Sequence, residues 1–86
     1  MEGTVKNGFL KVKDVCELLK ISPHTLRYWE KEFSEFFTPM RSPGGHRLYN
    51  DHHIRQLLEI KHLLKDELYS INGAKNKLKK FKTERV

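Results

Sequence analysis

The sequence predicts a mostly α fold: a winged helix-turn-helix of about four helices with a small β-hairpin as the wing. Three observations predict it. Two stretches of helical apolar spacing are separated by only about three residues. A segment punctuated by Pro39, Pro43, Gly44 and Gly45 follows them, with an arginine on each arm. Two further helical stretches then close the chain, each opened by a capping residue.

Residues 1–8 are polar and contain no apolar stretch of the kind a secretory leader needs, so they are expected to be a flexible N-terminus. Phe9-Leu10-Lys11 predicts a short strand. From Val12 the apolar residues Val12, Val15, Leu18 and Leu19 recur at helical spacing, with Cys16 on the same face, and this first helix should stop near Lys20. Its start is weakly marked, because no Ser, Thr, Asp or Asn stands immediately before Val12. The second helix is sharply marked. Ser22 reads as its N-cap and Pro23 occupies the first helical position, where a missing N–H costs nothing. It runs to about Phe33, with Leu26 and either Trp29 or Phe33 able to face inward and Thr25, Arg27 and Tyr28 left outward.

Residues 38–49 are not helical: Met40-Arg41 and His46-Arg47-Leu48-Tyr49 flank a Gly turn as short strands, forming the wing. Asn50 caps a third helix, with Asp51 well placed for its dipole. Ile54, Leu57, Leu58, Ile60, Leu63 and Leu64 give that helix a broad apolar face. Ile54, Leu57, Leu58 and Leu64 suffice to cover the first two helices, which leaves Ile60 and Leu63 as the candidates for exposure. Ser70 caps a fourth helix carrying Ile71, Ala74, Leu78 and Phe81 on one face. Its other face and the tail carry Lys75, Lys77, Lys79, Lys80 and Lys82. The expected organisation is a flexible stretch at 1–8, one domain at 9–81 and a basic tail at 82–86.

Eighty-six residues suffice for one domain and not for two, and a core this small argues against an enzyme with a deep cleft. No apolar run exceeds two residues, so no segment can span a bilayer and no membrane partner is expected. The one cysteine excludes an intrachain disulfide, in keeping with a reducing cytoplasmic setting. Seventeen Lys and Arg against eleven Asp and Glu give a formal charge of +6, and placement sharpens the point. No carboxylate lies between Glu17 and Glu30, or between Glu35 and Asp51. Those windows hold Lys20, Arg27, Arg41 and Arg47, with His24 and His46 beside them, which suits a polyphosphate partner as well as plain solvated surface.

The stretch Ile21-Ser22-Pro23-His24-Thr25-Leu26-Arg27-Tyr28-Trp29-Glu30 resembles the recognition helix of the MerR family of bacterial transcription regulators. Arg41-Ser42-Pro43-Gly44-Gly45-His46-Arg47-Leu48-Tyr49 resembles that family's wing, and Gly73-Ala74-Lys75 fits a subgroup of it. The resemblance runs from about Phe9 to Phe81. It implies a sequence-specific domain for double-stranded DNA, acting in the cytoplasm on the nucleoid. It also implies a homodimer in the full-length protein, formed through a long C-terminal helix that this chain lacks. Carried over, it implies DNA contacts from His24, Thr25, Arg27 and Tyr28 on the helix, and from Arg41, His46 and Arg47 on the wing. Arginine can chelate a guanine edge or grip a phosphate, and sequence does not separate those roles. Arg47 has a second reading, as a strand residue pointing the other way and bracing the hairpin. Trp29 reads as core, although its indole N–H can reach a phosphate from a half-buried position.

Two other functional readings remain beside this one. Small excisionase-like proteins share a related winged helix and bend DNA without an effector domain. A protein-interaction module could use the leucine face of the third helix. Five histidines and one cysteine raise the question of a metal, but His52 and His53 diverge on a helix and Cys16 has no partner cysteine, so no metal or other cofactor is expected. Nor is there a nucleophile elbow, P-loop or paired-carboxylate arrangement to support catalysis.

Overall fold

The computed structural model describes residues 8–84, with side chains described to Lys80. The elements run β1 (Leu10–Lys11), α1 (Val12–Leu19), α2 (Pro23–Glu32), β2 (Met40–Arg41), β3 (Arg47–Tyr49), α3 (Asp51–Lys61), a π-helical turn (His62–Asp66) and α4 (Ile71–Glu84). This is the mostly helical winged helix-turn-helix that the sequence predicts. Most of residues 1–8, the side chain of Phe81 and the side chains of the basic tail lie outside the described residues; α4 itself continues to Glu84.

Local chemistry explains most helix boundaries. Ser22 Oγ accepts the Thr25 N–H at 3.1 Å, with Pro23 behind it, a cap worth about 1 kcal/mol. Asn50 Oδ1 accepts the His53 N–H while His53 Nδ1 accepts the Asn50 N–H, both at 3.0 Å, so the two residues close a reciprocal capping box. Ser70 Oγ accepts the Gly73 N–H at 3.0 Å. The start of α1, unmarked by its preceding residue, is held from within: the Lys11 N–H donates to Asp14 Oδ2 at 3.2 Å. Lys20 ends α1 in the left-handed region (φ 59), and the Ile21 N–H returns to the Cys16 carbonyl.

The strands form one antiparallel sheet in the order β1-β3-β2, with Leu10 opposite Tyr49 and Arg41 opposite Arg47. The N-terminal strand thus pairs with the second arm of the wing and anchors it to the body. Alternation puts Leu10, Tyr49, Arg47 and Arg41 on one face. Leu10 and Tyr49 are buried in the core with Val15, Leu19, Leu26, Trp29, Phe33 and Phe37. Each such side chain contributes about 1.5–3 kcal/mol by leaving water.

Two expectations about apolar faces are corrected. Leu18 is exposed, because the buried stripe of α1 is Val15, Cys16 and Leu19, and Leu18 points well away from it. On α3 the assignment reverses: Ile60 and Leu63 are buried, and Leu58 is 49% exposed. The inward stripe is His53, Leu57 and Ile60, spaced i, i+4, i+7, and Leu58 lies about 100° beyond Leu57. The leucine face is therefore largely part of the common core. On the far side, Lys75 Nζ lies 3.4 Å from Glu32 and Lys79 Nζ 3.6 Å from Glu35, linking α4 to the end of α2 and the turn after it.

Candidate nucleic-acid interface

The inward stripe of α2, Leu26 and Trp29 with Phe33 at the cap, turns the rest of the helix outward. His24, Arg27, Tyr28 and Lys31 stand at i, i+3, i+4 and i+7, so they form one stripe, and all four are exposed. Lys31 is absent from the sequence-based set. Its signal is its place four residues after Arg27, on the same face. Thr25 lies to one side and is half-buried: its N–H donates to Ser22 Oγ, and its Oγ1 accepts the Ser22 hydroxyl at 3.1 Å.

The wing turns through Ser42-Pro43-Gly44-Gly45. The Gly45 N–H reaches the Ser42 carbonyl at 2.8 Å, and the Ser42 N–H the His46 carbonyl at 2.9 Å. Gly45 adopts φ +87, which L side chains rarely enter, so this position needs glycine for its backbone alone. Arg41 is exposed, and its Nη1 donates to the Gly45 carbonyl at 2.9 Å, bracing the turn. His46 is exposed beside the tip, its backbone N–H donating to Ser42 Oγ at 3.2 Å.

Arg47 differs from both. Its side chain is only 15% exposed, with Nε 3.0 Å from Glu30 Oε1 and 3.1 Å from the Tyr49 hydroxyl. The Tyr49 hydroxyl in turn donates to Glu30 Oε2. Burial, with Glu30 adding to it, pushes the Tyr49 phenol far above the ordinary tyrosine range, so it stays a donor. The hydrogen bond Arg47 donates to the Tyr49 hydroxyl, reinforced by Glu30, holds Arg47 charged still more firmly.

Between α2 and the wing runs an open groove lined by Arg27 and Lys31 on one side and Arg41 and Arg47 on the other, with Glu30 among them. Four cations against one carboxylate make the groove electropositive, and its shape admits an anionic ligand from outside. Structure thus brings Arg27, Arg41 and Arg47 of the sequence-based set to one groove. His24 and Tyr28 lie on the exposed stripe of α2, and His46 near the wing tip.

The remaining reactive side chains have structural settings. Cys16 is buried on the inner face of α1, and burial raises its thiol pKa, with the Glu30 charge adding to the shift. His53 is buried at the start of α3, where burial, followed by the charge of His52, lowers its pKa. His62 Nδ1 and Nε2 each lie 3.0 Å from a carboxylate, Asp66 and Glu67 respectively. Among the described residues no group of three or more His, Cys, Asp or Glu side chains is placed to hold a metal ion, and no helix is long and apolar enough to cross a membrane.

The family model described as "MerR HTH family regulatory protein" matches residues 10–80, from the first strand well into the fourth helix. The chain is also 42% identical over 50 residues to the HTH-type transcriptional regulator MlrA of Escherichia coli (strain K12), and equally to MlrA of Salmonella typhimurium strains LT2 and SL1344. Each match covers 58% of this chain and 20% of the relative, so the chain spans about one fifth of the length of those regulators.

Proposed function

Because the chain belongs to the MerR HTH family of regulatory proteins, we propose that it is the sequence-specific double-stranded DNA-binding domain of a bacterial transcription regulator. In this reading α2 enters the major groove and the wing lies along the flanking backbone. The observation that carries it is the exposed stripe His24–Arg27–Tyr28–Lys31, of which Arg27 and Lys31 line one electropositive groove with Arg41. A helix fits the major groove, and residues near the start of a recognition helix approach base edges first. His24, Thr25, Arg27 and Tyr28 are the proposed helix contacts, with Lys31 added as a phosphate contact one turn further on. Arg41 and His46 are the proposed wing contacts to the backbone, which set register and carry no sequence information by themselves.

The chain acts as a binding module rather than an enzyme in this reading, at the nucleoid. Pairing of two copies belongs to the full-length regulator. Two linked copies would read two half-sites and gain affinity through effective concentration without new contacts.

The test is titration of duplex DNA at two salt concentrations. Affinity should fall with a log–log slope of roughly −0.9 per phosphate neutralised. Equal affinity at both salts, or no binding at low salt, overturns the reading. The excisionase-like alternative shares the fold and predicts bending of a single site by one chain, which a circular-permutation gel shift detects.

A further inference from the structure

The wing is a small hairpin. Its strands, two residues in β2 and three in β3, pair at only two positions, and two short strands alone do not hold a defined angle against a neighbouring helix. β1 pairs with the β3 edge opposite β2, which anchors the base of the wing to the body. The direct polar tie between β3 and α2 is Glu30 with Arg47 and Tyr49. Glu30 uses both carboxylate oxygens: Oε1 lies against Arg47 Nε, and Oε2 accepts the Tyr49 hydroxyl. Arg47 and Tyr49 are two apart on one strand, so both point toward α2. Glu30 is 11% exposed in its side chain, Arg47 15%, and Tyr49 is fully buried. Among the described residues no buried side-chain nitrogen or oxygen lacks a partner. A closed charge-assisted network in a partly dry setting is strong and directional, so it defines an angle.

Glu30 is also the one carboxylate lining the cationic groove. For a surface that meets a polyanion, a negative charge there is unfavourable unless it has another task. We propose that Glu30, through Arg47 and Tyr49, is the positioning residue that fixes the wing against α2, so that Arg27 and Arg41 reach one duplex together. This rests on the DNA-binding reading above. It gives Arg47 the bracing role, and leaves direct wing contact to Arg41 and His46.

The proposal makes a prediction opposite in sign to charge bookkeeping. Glu30→Gln removes a negative charge from the groove, and electrostatics alone would tighten DNA binding. A positioning role requires weaker binding instead. The probe is a duplex selected by the parent chain from a random pool, with a random-sequence duplex of equal length beside it. Glu30→Gln and Tyr49→Phe, which deletes only the hydroxyl, are each made alone and combined with Arg41→Ala, and folding is checked by circular dichroism.

In the parent, Arg41→Ala should lower affinity about tenfold; in a folded Glu30→Gln or Tyr49→Phe background it should cost less than about twofold, because residues acting through one network are not additive. Hydroxyl-radical footprints of those variants should lose protection of the flanking backbone and keep it where α2 binds. Tighter binding by Glu30→Gln, or a full Arg41→Ala loss in the Tyr49→Phe background, overturns the positioning role while the DNA reading stands. A parent chain that selects no duplex overturns both. Should Glu30→Gln fail to fold, the Tyr49→Phe cycle decides alone.

Discussion

Arg27 on α2 and Arg47 on the wing line the same groove, but they stand there in different ways. Arg27 is exposed and has no hydrogen bond or ion pair among the described residues, whereas Arg47 is held by Glu30 and Tyr49. Arg41, opposite Arg47 in the ladder, is exposed yet still braces the turn through the Gly45 carbonyl. The difference teaches what each scaffold demands. A ten-residue helix satisfies its own backbone, is capped by Ser22 and is seated by Leu26 and Trp29, so its outer side chains are left for a ligand. A hairpin this short lacks that internal support, and its polar side chains must hold it in place as well.

The largest expected effect tests the seat of the helix. Trp29→Ala should destabilise the fold by about 3–5 kcal/mol in denaturant titration, since it empties a fully packed position. Arg27→Ala on the opposite side should shift stability by no more than about 0.5 kcal/mol. Similar losses for the two would break the contrast between the faces of α2.

Next in size is the effect of Arg27→Ala on DNA, expected to cost about 1–3 kcal/mol for a specific site if it reads a base. Arg41→Ala should instead weaken all sequences alike and reduce the salt slope by about 1. Fluorescence anisotropy with specific and random duplexes separates the two; matching profiles would mean that helix and wing do not divide the work.

A smaller effect belongs to the wing alone. Gly45→Ala meets no atom within 4 Å, so any loss comes from backbone strain at φ +87, about 1–2 kcal/mol. Amide exchange should quicken in the hairpin and stay unchanged in α2. Uniform quickening would show that hairpin and helix unfold as one unit.

The smallest expected effect is pH dependence at the exit of the wing. Burial lowers the His53 pKa below its usual 6.5, so its stabilising contribution is complete above about pH 6.5. It falls away as the pH drops through the folded-state value, where protonation also removes the acceptor for the Asn50 N–H. His62 shifts the other way, raised chiefly by its hydrogen bond to Asp66, and contributes below about pH 6.5, fading as pH rises through its folded-state value. NMR titration should show the Asn50 amide responding to acid while the Thr25 amide stays still; movement of both would mean that the two caps are coupled.

The caps at Ser22, Asn50 and Ser70 and the Gly45 turn are legible because each depends on neighbours within four residues: a short polar side chain meets a free N–H, or a glycine takes a conformation others avoid. The candidate site is legible to the same extent. Arg27 and Arg41 stand out because carboxylates are absent around them and because their motifs resemble a known family, while Lys31 is visible only once the outward face of α2 is known. Other features depend on where elements lie relative to one another. Leu18 and Leu58 face solvent while Ile60 and Leu63 are buried, which apolar periodicity alone does not decide because the candidate faces are wider than the buried stripes. The pairing of β1 with β3 joins residues almost forty positions apart.

The sequence by itself therefore determined the order of the helices and the wing, the capped starts of α2, α3 and α4, and the pool of basic residues, since local backbone chemistry and composition suffice for those. Only the tertiary structure decided which basic side chains face the groove freely and which are tied down. Glu30 lies nineteen residues from Tyr49, and no local signal says that its carboxylate will meet Arg47 and Tyr49 rather than water. That outcome follows from the angle at which a helix and a hairpin pack on a shared core.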